Sequence, residues 1–259
     1  LVLALALCMR QKEKYGISED NLLDGVLWGI PCGILGARIY YVLFYLDNFK
    51  NSDGSFSWSK AIAIWDGGLA IYGAVITIVI IALCLSRRKG EKGFKFFAMT
   101  DLVVIGLFVG QLVGRWGNFM NREAHGAVTD TFLKMGLQDV SGVVTYYHPT
   151  FLYESVWNLI GFIGLHLFSK KRKFDGEVFL LYVAWYGLGR AWIEGLRTDS
   201  LYLFSTGIRV SQLVAIVSFL AAAGILAWVL LKKKPAPDAL YVNRKPAGPE
   251  AADGKDTDD

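Results

Sequence analysis

Six stretches of this chain, at 22–46, 66–86, 97–119, 150–168, 177–196 and 210–231, are apolar over roughly the 20 residues a helix needs to cross a hydrocarbon core about 30 Å thick. No other feature limits the fold so strongly, because a chain carrying them must place most of its length in lipid. A seventh apolar stretch, 1–9, is too short to span and reads as the second half of a first span whose beginning precedes the sequence given. A signal-peptide core is the alternative, but no charged segment comes before it and no small-residue cleavage site follows it. The expected fold is an all-α polytopic membrane protein, a seven-transmembrane-helix bundle with its first helix truncated.

Composition agrees. Hydrophobic residues make up 54% of the 259, and charged residues make up 19% where a soluble domain carries about 25%. The three cysteines, Cys8, Cys32 and Cys84, each sit inside an apolar stretch, which excludes a disulfide framework and a cysteine-rich zinc site. A net charge of +4 raises nucleic acid as a partner, but the basic residues lie in short runs between apolar segments. That placement is an orientation signal.

The runs alternate. Arg10, Lys12 and Lys14 follow the first segment, Arg87, Arg88, Lys89, Lys92 and Lys95 the third, Lys170 to Lys173 the fifth, and Lys232 to Lys234 the last. The loops between them are poorer in Lys and Arg. Because these residues concentrate on the cytoplasmic side, the C-terminus is expected inside and the N-terminus outside. Trp28, Trp65, Trp116, Trp157, Trp185 and Trp192 fall toward segment ends, as interfacial rings do. The transmembrane domain is expected to cover 1–231. From about Pro235 no apolar pattern remains, so 232–259 is expected to be a disordered cytoplasmic tail.

Charged residues inside membrane segments cost a few kcal/mol each and are functional candidates by default. Three places carry them: Gly36-Ala37-Arg38-Ile39-Tyr40-Tyr41, the run from Gly114 to Gly126, and the run from Tyr186 to Arg197. The last two lie at the outer ends of their spans. Tyr186, Arg190, Glu194 and Arg197 share one helical face, as do Arg115, Asn118 and Asn121 if the helix persists. A lone arginine such as Arg38 or Arg197 can snorkel to the headgroups, but snorkelling does not account for two asparagines and a glutamate beside Arg115. Buried amides need partners, and a polar cavity facing the outer leaflet would supply them. Arginine pairs bidentately with phosphate and stays charged, and at that depth the available phosphate is a phospholipid's. Gly114, Gly117 and Gly126 would allow close backbone approach, to a ligand or to a neighbouring helix.

The run from Gly114 to Gly126 fits the pattern G-R-x-G-N-F-x-N-x-E-x-x-G at every fixed position. On that pattern the chain resembles the prolipoprotein diacylglyceryl transferase family. Similar stretches follow in order: Gly36 to Val42, Trp65 to Gly73, His148 to Glu154, and Tyr186 to Arg197 as Y-x-x-x-R-x-x-x-E-x-x-R. The resemblance implies an inner-membrane enzyme of bacteria that moves the diacylglyceryl group of phosphatidylglycerol to the lipobox cysteine thiol of a prolipoprotein signal peptide. Glycerol phosphate is released, and no cofactor or metal is implied.

On this reading Arg115 binds the lipid phosphate and Arg190 joins it on the leaving group. Asn118, Asn121 and Glu123 orient the headgroup and the second arginine. Gly126, Tyr186 and Glu194 complete the substrate-binding set, with Glu194 and Arg197 as a supporting ion pair. Tyr72 stands where some members of the family carry a histidine that could act as base. Phenols ionise near 10, so Tyr72 either hydrogen-bonds the headgroup or the thiol is activated from elsewhere. His125, His148 and His166 read as structural, and the base stays open. The outer loop 120–148 is long enough to handle a substrate. A flippase would favour repeated halves and ionisable groups spread across the bilayer. A non-catalytic scaffold would not need the constellation from Arg115 to Glu123.

Overall fold

The computed structural model describes residues 1–51, 53–88, 94–198 and 207–243. Eight α-helices are found among them: α1 (Val2–Gln11), α2 (Glu19–Phe44), α3 (Trp58–Ile62), α4 (Ile71–Ser86), α5 (Phe96–Met120), α6 (Thr150–Phe168), α7 (Glu177–Ile193) and α8 (Val210–Trp228). Among the described residues four helices are long and apolar enough to cross a membrane: α2, α5, α6 continued to Lys171, and α8 continued to Lys233. Their outer faces remain apolar and open, with Val217 56% and Leu220 61% exposed on α8. Such faces are stable against lipid rather than water. The protein is an all-α, multi-pass membrane protein.

The expected segment 66–86 is shortened at its start. Gly67 (φ 84°) and Gly68 (φ 71°) are left-handed, so helix begins only at Ile71. The sixteen residues of α4 rise about 24 Å. The segment 177–196 changes geometry near its end: α7 stops at Ile193 and a 3₁₀ turn, Glu194–Leu196, carries on. Together they reach about 30 Å. The loop 120–148 also differs from a plain connection. It contains an antiparallel hairpin of β1 (Met135–Gln138) and β2 (Val144–Tyr147), with Met135 opposite Tyr147 and Gln138 opposite Val144. Its turn is held by the Asp139 carboxylate, which accepts from the Ser141 hydroxyl at 2.7 Å and the Val143 N–H at 2.9 Å. These bonds keep that carboxyl below its usual range.

The chain forms two compact units. In the unit 12–99, α2 and α4 cross through glycines: a Cβ on Gly73 would lie 2.2 Å from the Gly36 carbonyl oxygen, and one on Gly36 would lie 1.9 Å from Thr77 Oγ1. Arg38, 7% exposed, does not snorkel. Its Nε donates to Ala61 O (2.9 Å), Nη1 to Gly67 O (2.6 Å) and Gly68 O (2.9 Å), and Nη2 to Lys60 O (2.6 Å) and Ala63 O (3.0 Å). One guanidinium thus satisfies the carbonyls at the C-terminal end of the short helix α3 and in the segment after it, where a helix end leaves its last carbonyls without intrahelical partners.

In the unit formed by 1–11 and 100–243, the core gathers Val104, Ile105, Phe108, Leu165, Val178 and Tyr182. Asp101, fully buried on α5, accepts the N–H groups of Gly176 and Phe179, each at 2.8 Å, and so caps the start of α7 from another helix. Trp157 and Trp185, expected toward the headgroups, pair with each other, rings stacked with centroids 4.3 Å apart. The tail departs from its expected disorder over 235–243. It forms 3₁₀ turns at Pro237–Ala239 and Tyr241–Asn243, buries Leu240, and places the Tyr241 N–H 3.0 Å from Asp175 Oδ2. Residues 244–259 lie outside the described residues, as do Lys89 and Lys92 of the third basic run.

Candidate active site

The ends of α5 and α7 and the start of α6 meet in a knot of charge. Glu154 sits on the second turn of α6 and is 4% exposed. Its Oε2 lies 2.9 Å from Arg115 Nε on α5, and its Oε1 lies 2.9 Å from Arg190 Nη1 on α7 and 3.5 Å from Arg197 Nη1. Arg190 Nη2 lies 2.7 Å from Glu194 Oε2, and Glu194 is 2% exposed. Arg190 is therefore a partner of Glu194 in this cluster, and Arg197 reaches Glu154. Beside the expected Glu194–Arg197 pair, the structure thus gives Glu194 a partner one α-turn earlier on its own helix, Arg190.

Alone, each buried charge would cost several kcal/mol. Together the three guanidiniums and two carboxylates leave one net positive charge. Burial is uneven. The carboxylates are sealed, whereas the side chains of Arg115 and Arg190 remain 22% and 18% exposed. The accessible edge of the cluster is cationic, which suits an anion able to take paired N–H donors.

Arg115 continues into the signature run. Its Nη1 donates to Asn118 Oδ1 (3.2 Å), and the amides of Asn118 and Asn121 both donate to Glu123 Oε1, at 3.0 and 3.1 Å. Asn118 is on the last turn of α5 and Asn121 just past its end. Glu123 reaches back to them because the chain bends sharply, with Arg122 (φ 55°) and Ala124 (φ 56°) left-handed on either side. Non-glycine residues in that region carry strain of order 1–3 kcal/mol, which surrounding structure must hold. Here the Thr150 hydroxyl donates to Ala124 O.

Gly126 then lies between two backbones. Its N–H donates to His148 O (2.9 Å), and the next N–H, from Ala127, goes to Leu196 O (3.0 Å). A Cβ on Gly126 would be 2.6 Å from His148 Cβ and 2.9 Å from Leu196 O. This glycine permits close chain approach, whereas Cβ atoms on Gly114 and Gly117 would meet nothing within 4 Å among the described residues.

Tyr186, one turn before Arg190, lines a cavity of about 10 Å³ together with Glu154 and Asn158. Asn158 is 1% exposed, and neither its Oδ1 nor its Nδ2 has a hydrogen-bond partner among the described residues. Sequence reasoning passed over Glu154 and Asn158. Their signal was a carboxylate and an amide four residues apart on one face of an apolar span, the same spacing that marked Tyr186, Arg190 and Glu194 on α7.

Tyr72 belongs to the other compact unit, at the start of α4. It is 42% exposed, with its ring centroid 6.3 Å from that of Tyr40. His125 is half-buried, with Nδ1 3.1 Å from Gly126 O, and His148 Nδ1 lies 3.3 Å from the Tyr153 hydroxyl. His166 is half-buried on α6 beside Phe162. Among the described residues no three His, Cys, Asp or Glu side chains are grouped to hold a metal ion.

A family model described as prolipoprotein diacylglyceryl transferase matches residues 1–228. Among curated proteins, the phosphatidylglycerol–prolipoprotein diacylglyceryl transferase of Listeria welshimeri is 41% identical over 91% of this chain and 84% of its own length. The protein of the same name from Oceanobacillus iheyensis is 43% identical over 83% of this chain and 76% of its own. That of Lactiplantibacillus plantarum is 41% identical over 88% and 81%.

Proposed function

Because the chain belongs to the prolipoprotein diacylglyceryl transferase family, we propose that the cationic edge of its arginine–glutamate cluster grips the phosphate of phosphatidylglycerol while a cysteine thiol displaces it. The acceptor is the lipobox cysteine of a prolipoprotein, held by its signal peptide in the same membrane. Sulfur attacks the glyceryl carbon, the carbon–oxygen bond to phosphate breaks, and glycerol phosphate leaves. The single observation that carries this reading is the exposure pattern: Arg115 and Arg190 stay partly open around the sealed carboxylate of Glu154.

Each role follows from placement. Arg115 and Arg190 meet the charge that grows on the departing phosphate, and Glu154 holds them in position before it forms. Asn118, Asn121 and Glu123 make one hydrogen-bonded chain with Arg115 and order the headgroup. Tyr186 and Glu194 flank Arg190, and Gly126 keeps the signature loop close to the end of α7. For Tyr72 the headgroup hydrogen bond rests on its place in the family motif alone. We place the protein in the bacterial plasma membrane with seven spans, the site at the outer rim, the N-terminus outside and the C-terminus in the cytoplasm. The alternation of basic runs supports that orientation.

The test is transfer itself. Purified protein given phosphatidylglycerol and a lipobox peptide should yield a thioether-linked diacylglyceryl peptide and free glycerol phosphate. Arg115→Lys should lose most of that activity, because an ammonium is a point charge and cannot reproduce the fork. Undiminished turnover in Arg115→Lys would remove Arg115 from the reaction. No thioether product from the parent protein would remove the function.

A further inference from the structure

We propose that His125 takes the proton from the acceptor thiol, an inference that rests on the transferase reading above. The reaction needs a base, since only the thiolate attacks well and a free cysteine ionises near 8.5. The carboxylates of the cluster are engaged: Glu154 and Glu194 by guanidiniums, and Glu123 by two amides on one oxygen. Tyr72 is a phenol, a class that ionises too high to serve at neutral pH.

His125 has the geometry the others lack. Its Nδ1 lies 3.1 Å from the carbonyl oxygen of Gly126. A carbonyl only accepts, so Nδ1 carries the hydrogen and Nε2 keeps its lone pair. Nε2 has no partner among the described residues, and the side chain is half-exposed. His148 takes the same tautomer, because its Nδ1 meets a Tyr153 hydroxyl whose own hydrogen goes to Leu133 O at 3.3 Å, so variants of both histidines are needed to separate them. His125 is also fixed in place. Its ring centroid is 4.3 Å from that of Tyr147, and its carbonyl accepts from the Thr198 hydroxyl at 3.4 Å. The next residue, Gly126, forms a bridge with Arg197, whose Nη1 is 3.5 Å from Glu154. The strained loop that carries the imidazole is therefore bridged through its backbone to Arg197 of the cluster, and the titratable and charged groups next to it in the chain or in contact with that loop are Arg122, Glu123, Tyr147, His148 and Arg197.

The step balances. The S–H proton moves to His125 Nε2, the sulfur lone pair forms the bond to the glyceryl carbon, and the electron pair of the breaking carbon–oxygen bond stays on phosphate. The imidazolium then returns the proton to the departing phosphate monoester, whose second ionisation lies near 6.

The experiment compares a cysteine peptide with its selenocysteine counterpart, whose selenol is ionised at neutral pH without a base. His125→Asn should lower kcat/KM for the cysteine peptide about 100-fold or more at pH 7. The deficit should shrink as pH rises through about 8.5, with KM for phosphatidylglycerol unchanged. The same variant should use the selenocysteine peptide nearly as well as the parent does. His125→Phe, which keeps a ring against Tyr147, should behave alike and guards against a packing defect. Wild-type kcat/KM in either variant overturns the proposal. So does an equal deficit with both peptides, or a selenol-rescued deficit in His148→Phe and none in His125→Asn. Failure of the parent protein with both peptides overturns the transferase reading instead, and the proposal with it.

Discussion

Trp157 and Trp185 each donate the indole N–H to the other's backbone carbonyl, both at 3.0 Å. The exchange ties α6 to α7 one turn below the arginine cluster, and it is possible only because glycine faces each ring. A Cβ on Gly189 would lie 2.1 Å from Trp157 Nε1, and one on Gly161 would lie 2.4 Å from Trp185 Nε1. Gly189→Ala should therefore destabilise the protein by about 1–3 kcal/mol, the usual range for overpacking. A thermal unfolding midpoint in detergent lower by roughly 2–12 °C is expected. An unchanged midpoint would mean the ring shifts freely and the clasp contributes nothing.

Glu154→Gln leaves three arginines facing a neutral amide. Breaking a buried ion pair from one side costs about 3–5 kcal/mol, so this variant should be less stable than Arg115→Lys, which keeps both charges. Chemical unfolding in detergent ranks the two directly. The reverse ranking would show that Glu154 is not the hub.

Arg38 answers five carbonyl oxygens between Lys60 and Gly68 with one guanidinium. Arg38→Lys keeps the charge but has only three donors, and each lost bond to a charged donor is worth about 1.5–3 kcal/mol. Limited proteolysis of the reconstituted protein should then cut within 60–68 faster than in the parent. Equal cutting would show that the turn holds without the fork.

Tyr72→Phe removes a hydroxyl and little else. A lost neutral hydrogen bond of about 0.5–1.5 kcal/mol corresponds to a two- to thirteen-fold effect, expected mainly in KM for phosphatidylglycerol. A kcat reduced 100-fold or more, with KM held, would assign proton chemistry to Tyr72 and take it from His125.

The site was legible where polar residues recur at helical spacing within one segment. Tyr186, Arg190 and Glu194 do so on α7, and Arg115 and Asn118 on α5. Glu154 was quoted within a motif yet given no role, because its meaning lies in Arg115, Arg190 and Arg197, which are 36 or more residues away along the chain. Arg38 could be seen as an intruding charge, but its partners are backbone carbonyls of α3 and the segment after it, and backbone carries no sequence signal. Trp157 and Trp185 read as interfacial from their positions; their pairing depends on Gly161 and Gly189 lying opposite them.

Residue order alone determined that this chain lives in lipid, where its helices run and which ends carry charge, because hydropathy and periodicity are local properties of a segment. Which carboxylate closes on which guanidinium, which nitrogen of His125 keeps its lone pair and which glycine admits a tryptophan were decided only by the packed helices. Those choices rest on distances of a few ångströms between atoms far apart in sequence, and only the folded backbone sets such distances.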